Sequence, residues 1–250
     1  MGFEYLYNQI VRMHKLRRYV VNTEIQKRFE DAVKYDGMMA KVFPGYEQLP
    51  LIILSYLRKR LLRKAHLLDV GCGTGTTLAA FATHQPEWSF TGVDPVEMML
   101  EIANNKINAI GAEKRVKLYH GTVDTLPDEP KFDAATCILV EHLQPDNGAK
   151  LNLLEGIQRR IVSGGWFVLF GLHGDLSTEN SQNELAAWLE FVALQGLPEA
   201  VRDNVRHRAT VEDSLIPEVR IQELLQEAGF VNIEKTYQLQ LLGLWIAQKP

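Results

Sequence analysis

Residues 67–75, LLDVGCGTG, set an apolar strand, an acid and three glycines directly ahead of a helix starting near Thr76. A glycine-rich turn between strand and helix lets a ligand approach the main chain closely. No Cβ obstructs it, and a positive φ costs little at Gly71, Gly73 and Gly75. A dinucleotide could use such a turn, but its fingerprint asks for a further Gly or Ala one position later, where Thr76 stands. Two histidines carry the other chemistry. His142 and His173 follow the fourth and fifth apolar runs, at the sheet edge where ligands of open α/β folds bind, and either could act as a general base. Each also reads as a positioned polar residue or a satisfied core histidine. Asp133 reads as structural, and no Ser-His-Asp order, metal-ligand spacing or phosphate-binding lysine loop accompanies these residues.

These side chains need a sheet edge to stand on, and the chain from Ala65 onward supplies one. Strands are expected at His66 to Val70, Ser89 to Val93, Val116 to His120, Phe132 to Leu139 and Trp166 to Gly171, with helices between them. The clearest helix has Met99, Ile102, Ala103, Ile107 and Ile110 on one stripe. Asp175 to Leu215 interrupts the alternation as an insertion with one amphipathic helix (Leu185, Trp188, Leu189, Val192) followed by a charged stretch, VRDNVRHR. A helix then opens at Pro217 and closes at Gly229. Two strands follow, near Val231 to Tyr237 and Leu241 to Ala247, and their short connection makes them antiparallel. Residues 1–64 read as a helical cap. It comprises a stripe at Phe3, Leu6, Tyr7 and Ile10, then a capping-box helix from Thr23 to a stop at Gly37. The turn FPGYEQLP leads into a last helix from Leu51 to Leu62. The expected domains are therefore the cap, 1–64, and a catalytic domain, 65–250, with a lid at 175–215.

Composition narrows the classes. The 250 residues are 46% hydrophobic and 23% charged with a net charge of −4, which fits an ordered globular chain and opposes a surface that grips nucleic acid throughout. Lys15, Arg17 and Arg18 form a local basic patch that also reads as a solvated helix face. Two cysteines, Cys72 and Cys137, offer no disulfide framework. No uncharged apolar run reaches 18 residues, so no membrane span is expected, and the cytoplasm is the default.

The glycine spacing favours S-adenosylmethionine over a dinucleotide, and residues 65–250 resemble the class I S-adenosylmethionine-dependent methyltransferases. That resemblance implies a Rossmann-like seven-stranded, mostly parallel sheet with an antiparallel carboxyl-terminal strand. It also implies roles. Asp69 and the turn Gly71, Cys72, Gly73, Gly75 would hold the amino-acid end of the cofactor. Asp94, in TGVDPVEMM with Pro95, would accept from both ribose hydroxyls, and Met98 and Met99 would border the adenine. In GTVDTLP the place of the family's adenine-binding acid falls to Thr122, beside Val123; Asp124, two residues on, is as readily a turn residue. FDAATCILVEHL, with Leu139, resembles the fourth strand, and SGGWFVL the turn into the fifth.

The cap and insertion extend the likeness to small-molecule methyltransferases and to the carboxy-S-adenosylmethionine synthases of tRNA wobble-uridine modification. A tyrosine matching Tyr35 or Tyr46 would lie over the sulfonium, where a π-face meets a cation. An arginine at or near Arg206 would meet a cofactor carboxylate. The expected activity is methyl transfer to a small organic acceptor, with S-adenosylhomocysteine as product. The alternatives are a tRNA-modifying enzyme, a cofactor-binding protein without catalysis and a nicotinamide dehydrogenase. A small-molecule acceptor is the expected partner, nucleic acid is less favoured, and a homodimer stays open.

Overall fold

A computed structural model describes residues 34–129 and 131–250. The expected helices at Phe3 to Ile10 and from Thr23, and the Lys15, Arg17 and Arg18 patch, lie outside the described residues. Five strands run parallel: β1 (His66–Val70), β2 (Ser89–Asp94), β3 (Val116–His120), β4 (Phe132–Ile138) and β5 (Ile161–Leu172). Two more follow, β6 (Val231–Leu239) and β7 (Leu242–Gln248), and β7 runs antiparallel to both β5 and β6. The sheet order is β3-β2-β1-β4-β5-β7-β6. Chain order reverses between β1 and β4, the switch point where open α/β sheets leave a crevice at the strands' carboxyl ends.

The described helices cover both faces. They are α1 (Tyr35–Val42), α2 (Leu49–Leu57), α3 (Thr76–His84), α4 (Glu97–Ala109) and α5 (Ala149–Arg160), then α6 (Glu179–Leu194), α7 (Glu199–His207) and α8 (Glu218–Glu227). One apolar cluster joins the cap helices to the sheet and the insertion, with Ile53, Leu57, Phe81, Trp88, Trp188 and Val192 all buried within it. The opposite face packs Leu154, Ile157, Leu224 and Leu225 against Leu68, Phe167 and Leu169. Burial of these side chains supplies the main folding drive, about 1.5–3 kcal/mol for each large one.

Several boundaries differ from the sequence pattern. Gly37 lies inside α1 rather than ending a helix. The helix after the turn starts at Leu49 and ends at Leu57, leaving Leu62 exposed. Ile110 falls just past α4 and is exposed, so the buried stripe stops at Ile107. The charged stretch of the insertion coils into α7, whose buried residues are Val201 and Val205, before a π-helical turn at Arg208–Glu212. Strand β5 starts five residues early. Ile161 pairs with Phe132 and Trp166 with Ala134, so four residues of β5 face a single residue of β4 and the SGG bend sits within the strand.

Candidate active site

A cleft opens at the carboxyl ends of β1, β2 and β4. Its lining includes Asp69, Gly71, Cys72, Gly73, Asp94, Met99 and Leu139, with Tyr35, Tyr46, Leu49 and Pro50 from the cap, and it encloses about 730 Å³, open solvent at its mouth included. The glycine turn is shaped by close approach. Gly71 (φ +70°) abuts Val140, whose Cγ2 would stand 2.3 Å from an added Cβ. At Gly75 (φ +74°) an added Cβ would stand 2.8 Å from Ala103 of α4, so the glycine lets helix and turn close together. Around Gly73 (φ +53°) a Cβ would meet nothing within 4 Å, which leaves that side of the turn open to a ligand. Across the cleft Leu139 also adopts a positive φ, +57°, a conformation that costs a side-chain-bearing residue about 1–2 kcal/mol. It swings the chain so that Val140 packs onto Gly71.

Two buried carboxyls face this space. Asp94 Oδ2 accepts from the Gly73 N–H at 2.9 Å and its Oδ1 from the Val96 N–H at 2.9 Å. A carboxylate offers only acceptor sites, which suits this position to a sugar's hydroxyls. Asp69 sits opposite Thr136 in the β1–β4 register and accepts from its hydroxyl at 2.6 Å. Burial pushes the Asp69 carboxyl up to about 7, against the Thr136 bond and with added repulsion from Asp94. Among the described residues the Thr136 hydroxyl is the donor to this buried acid, which is matched to a cation. The amino group and sulfonium of S-adenosylmethionine would meet that need, and the open side of Gly73 admits its amino-acid end. Met98 and Met99 pack with Val96 and Tyr35 into a small apolar cluster fit for a flat base. Burial, then the Asp94 and Asp69 charges, holds the Cys72 thiol well above its usual value, so Cys72 shapes the wall as a neutral group.

Not every expected residue comes to the cleft. Val123 is buried on the other face of the sheet, against Gly156, and Thr122 caps the 3-10 turn Val123–Thr125. Asp124 makes an exposed ion pair with Arg159 at 3.3 Å. Pro95 presents its carbonyl to His120 Nε2 at 3.1 Å. Arg206 pairs with Asp203 at 2.6 Å and lines a separate groove with Leu185, Leu189 and Arg202. Asp133 accepts from the His66 N–H at 2.7 Å, a structural role.

The histidines are also set apart. His142, buried beside Gly171, presents Nδ1 to the Leu172 N–H at 3.4 Å and its carbonyl to the Ser214 N–H at 2.8 Å. Its neighbour Glu141 forms a buried ion pair with Lys150 at 2.6 Å. His173 lines a second cavity with Asp175, Asn180, Glu184 and Glu218. Its Nδ1 donates to the Leu241 carbonyl at 2.9 Å, and its Nε2 accepts from Lys235 at 3.1 Å. Burial first, and then the Lys235 charge, hold its pKa below the usual value.

Residues that sequence reasoning missed lie around the turn: Thr136, and a cluster of Asp36, Thr74, Thr76 and Lys106. Asp36 accepts from Thr74 at 2.6 Å and from Thr76 at 3.0 Å, and pairs with Lys106. The only sequence signal was the run of three polar residues, Thr74, Thr76 and Thr77, around the last glycine.

Comparison with known proteins agrees with this geometry. Residues 67–165 match the family model described as a methyltransferase domain. The chain is 24% identical over 233 residues to the carboxy-S-adenosyl-L-methionine synthase of Campylobacter lari, covering 90% of this chain and 96% of that protein. It is 31% identical over 194 residues to the ubiquinone biosynthesis O-methyltransferase of Alkalilimnicola ehrlichii, covering 75% of this chain and 72% of that one. The fold matches phosphoethanolamine N-methyltransferase 2 of Haemonchus contortus, solved in complex with S-adenosyl-L-methionine, at a TM-score of 0.62 and 17% identity. That match covers 89% of this chain and 57% of the other, so the chain spans little more than half of that relative's length. Sheet order, glycine turn and relatives agree: the chain belongs to the class I S-adenosylmethionine-dependent methyltransferases, enzymes whose cofactor is S-adenosylmethionine.

Proposed function

We propose that this enzyme transfers the cofactor's methyl group to a small organic acceptor. The observation that carries the reading is the charge of the cleft wall. Among the described lining residues there are two carboxyls, Asp69 and Asp94, and no Lys or Arg. Lys106, which touches Thr74 and Thr76, is itself paired with Asp36. Such a wall suits a cationic cofactor and opposes one carrying an extra carboxylate.

The cofactor supplies a methyl group on a positively charged sulfur, open to in-line displacement by an acceptor's lone pair. What the chain contributes is placement. Asp94 would hold the ribose, Asp69 and the Gly73 backbone the amino-acid end, and Tyr35 with Tyr46 would close the roof. Orientation of this kind contributes up to about 7–11 kcal/mol in ideal cases. The apolar residues Leu49, Pro50, Ile138 and Leu139 leave a dry wall for the acceptor and exclude water. Trp188 joins the lid to the cap, its Nε1 donating to the Val42 carbonyl at 2.6 Å while its ring stacks on Phe43 at 5.5 Å. The two free, buried cysteines support a reducing, cytoplasmic setting.

A second reading, synthesis of carboxy-S-adenosylmethionine, draws support from the near full-length likeness to the Campylobacter synthase. One experiment separates the two. The protein is incubated with S-adenosylmethionine and a panel of hydroxylated aromatic and amine acceptors, and in parallel with prephenate, and all nucleoside products are weighed. S-adenosylhomocysteine with a methylated acceptor supports methyl transfer. A heavier, carboxylated cofactor in the prephenate arm overturns it.

A further inference from the structure

We propose that Asp36 is a positioning residue that pins the cap over the cofactor, and that its release sets how fast spent cofactor leaves. This inference rests on the cofactor site, not on the identity of the acceptor. Asp36 is the second residue of α1, outside the glycine turn and 38 positions from Thr74. Its Oδ1 accepts from Thr74 at 2.6 Å and from Thr76 at 3.0 Å, while its Oδ2 pairs with Lys106. Lys106 reaches across to the same two hydroxyls, at 3.0 Å and 2.8 Å. Each threonine oxygen therefore donates to the acid and accepts from the amine. Four side chains from α1, the glycine turn, α3 and α4 form one closed network.

The network sits where it can govern access. Thr74 and Thr76 line the cleft, and so does Tyr35, the residue before Asp36. Tyr35 packs against Val96 and Met99, while Tyr46 lines the cleft beside Thr76. A cofactor bound against Gly73 would thus lie beneath two rings whose positions depend on the Asp36 carboxylate.

The rest of α1 is held differently. Met38, Met39 and Val42 are buried, and the Val42 carbonyl takes the Trp188 indole. Loss of Asp36 therefore cuts the tie between the first turn of α1 and the glycine turn, while the Val42 end stays docked. Both charged partners are partly open to water, with about a quarter to a third of each side chain exposed, so solvent can compete for them during opening.

The test uses the full chain loaded with radiolabelled S-adenosylhomocysteine, chased with unlabelled compound and sampled by rapid filtration. Asp36→Ala and Lys106→Met should each speed release by about tenfold or more, as loss of charge-assisted hydrogen bonds implies. Asp36→Asn, which keeps an acceptor for the hydroxyls, should fall between them and the parent. Release in Asp36→Ala at the parental rate, with a melting temperature near the parent's, overturns the proposal. A merely structural role would lower melting without moving release. Should Asp36→Ala fail to fold, the rate in Lys106→Met decides in the same way. A parent that retains no cofactor at all refutes the binding reading first, and this inference with it.

Discussion

The carboxyl ends of β1 and β5 each carry a buried titratable side chain, Asp69 in one place and His173 in the other, and the two sit in opposite circumstances. His173 has both ring nitrogens engaged, by Leu241 and Lys235. Asp69 has the Thr136 hydroxyl and an open cleft in front of it. Buried polar groups are normally satisfied, so the one short of partners marks where a ligand completes the structure. The satisfied one is architecture. A strand-end histidine is thus a weak indicator of catalysis until its partners are known.

The hardest blow to the cleft side of that comparison is Gly71→Ala. The new Cβ would lie 2.3 Å from Val140 Cγ2 on a backbone at φ +70°, so both sterics and conformation oppose it. Cofactor binding should fall below detection in titration calorimetry with S-adenosylhomocysteine. Pairing the change with Val140→Ala separates the causes. Recovery of affinity would mean the clash dominates, and no recovery would leave the backbone strain responsible.

Next in size is a change between the two regions, Lys150→Met. Lys150 and Glu141 are both fully buried, and removing one partner strands the other charge. Such a loss costs about 3–5 kcal/mol, read by urea denaturation. Glu141→Gln combined with Lys150→Met should regain much of it, because burial already raises the Glu141 pKa and penalises its charged form. A double variant as unstable as the single would show that the pair does more than neutralise itself.

What could be read from the sequence follows the same division. The glycine turn, Asp69, Asp94 and the strand order were legible because a ligand touching main chain demands glycine at fixed spacing, and strand–helix alternation has few topologies. Thr136, Asp36 and Lys106 were not, since each acts across 30 to 70 positions through contacts only the folded chain creates. That Val123 turns onto the opposite core in a 3-10 turn, and that Arg206 pairs with Asp203 on α7, are likewise features of the fold that spacing does not reveal. The charged stretch 201–208 hid a helix whose buried residues are two valines.

Protons sharpen the cleft side further. The Asp69 pKa, raised to about 7 chiefly by burial, means the ligand-free fold favours the protonated acid. Its stabilising contribution is fully present below the ordinary carboxylate value and is lost as pH rises through about 7. A cationic cofactor favours the ionised form, so affinity should climb between pH 6 and pH 8, by at most about tenfold per unit below the pKa. Other groups titrate too, so the quantity to compare is the parent's slope minus that of Asp69→Asn. Equal slopes would remove Asp69 from the binding equilibrium.

The smallest expected effect tests the architectural side. His173→Gln removes an imidazole that bridges Leu241 on the β6–β7 turn and Lys235 on β6, with its ring edge-on to Trp245 at 4.9 Å. Lys235 keeps Glu218 at 2.6 Å, so its charge stays compensated. The Leu241 carbonyl also retains the His173 main-chain N–H at 2.9 Å. Stability should fall by about 1–3 kcal/mol, the cost of disturbing a buried hydrogen-bonded group. Affinity for S-adenosylhomocysteine and its pH slope should stay within about twofold of the parent, because sites this independent are additive to a few tenths of a kcal/mol. The same titration on His142→Gln gives the internal control, since that ring lies closer along the chain to the cleft wall at Val140. A tenfold loss at His173, with no loss at His142, would move the ligand toward β5 and erase the contrast between the two strand ends.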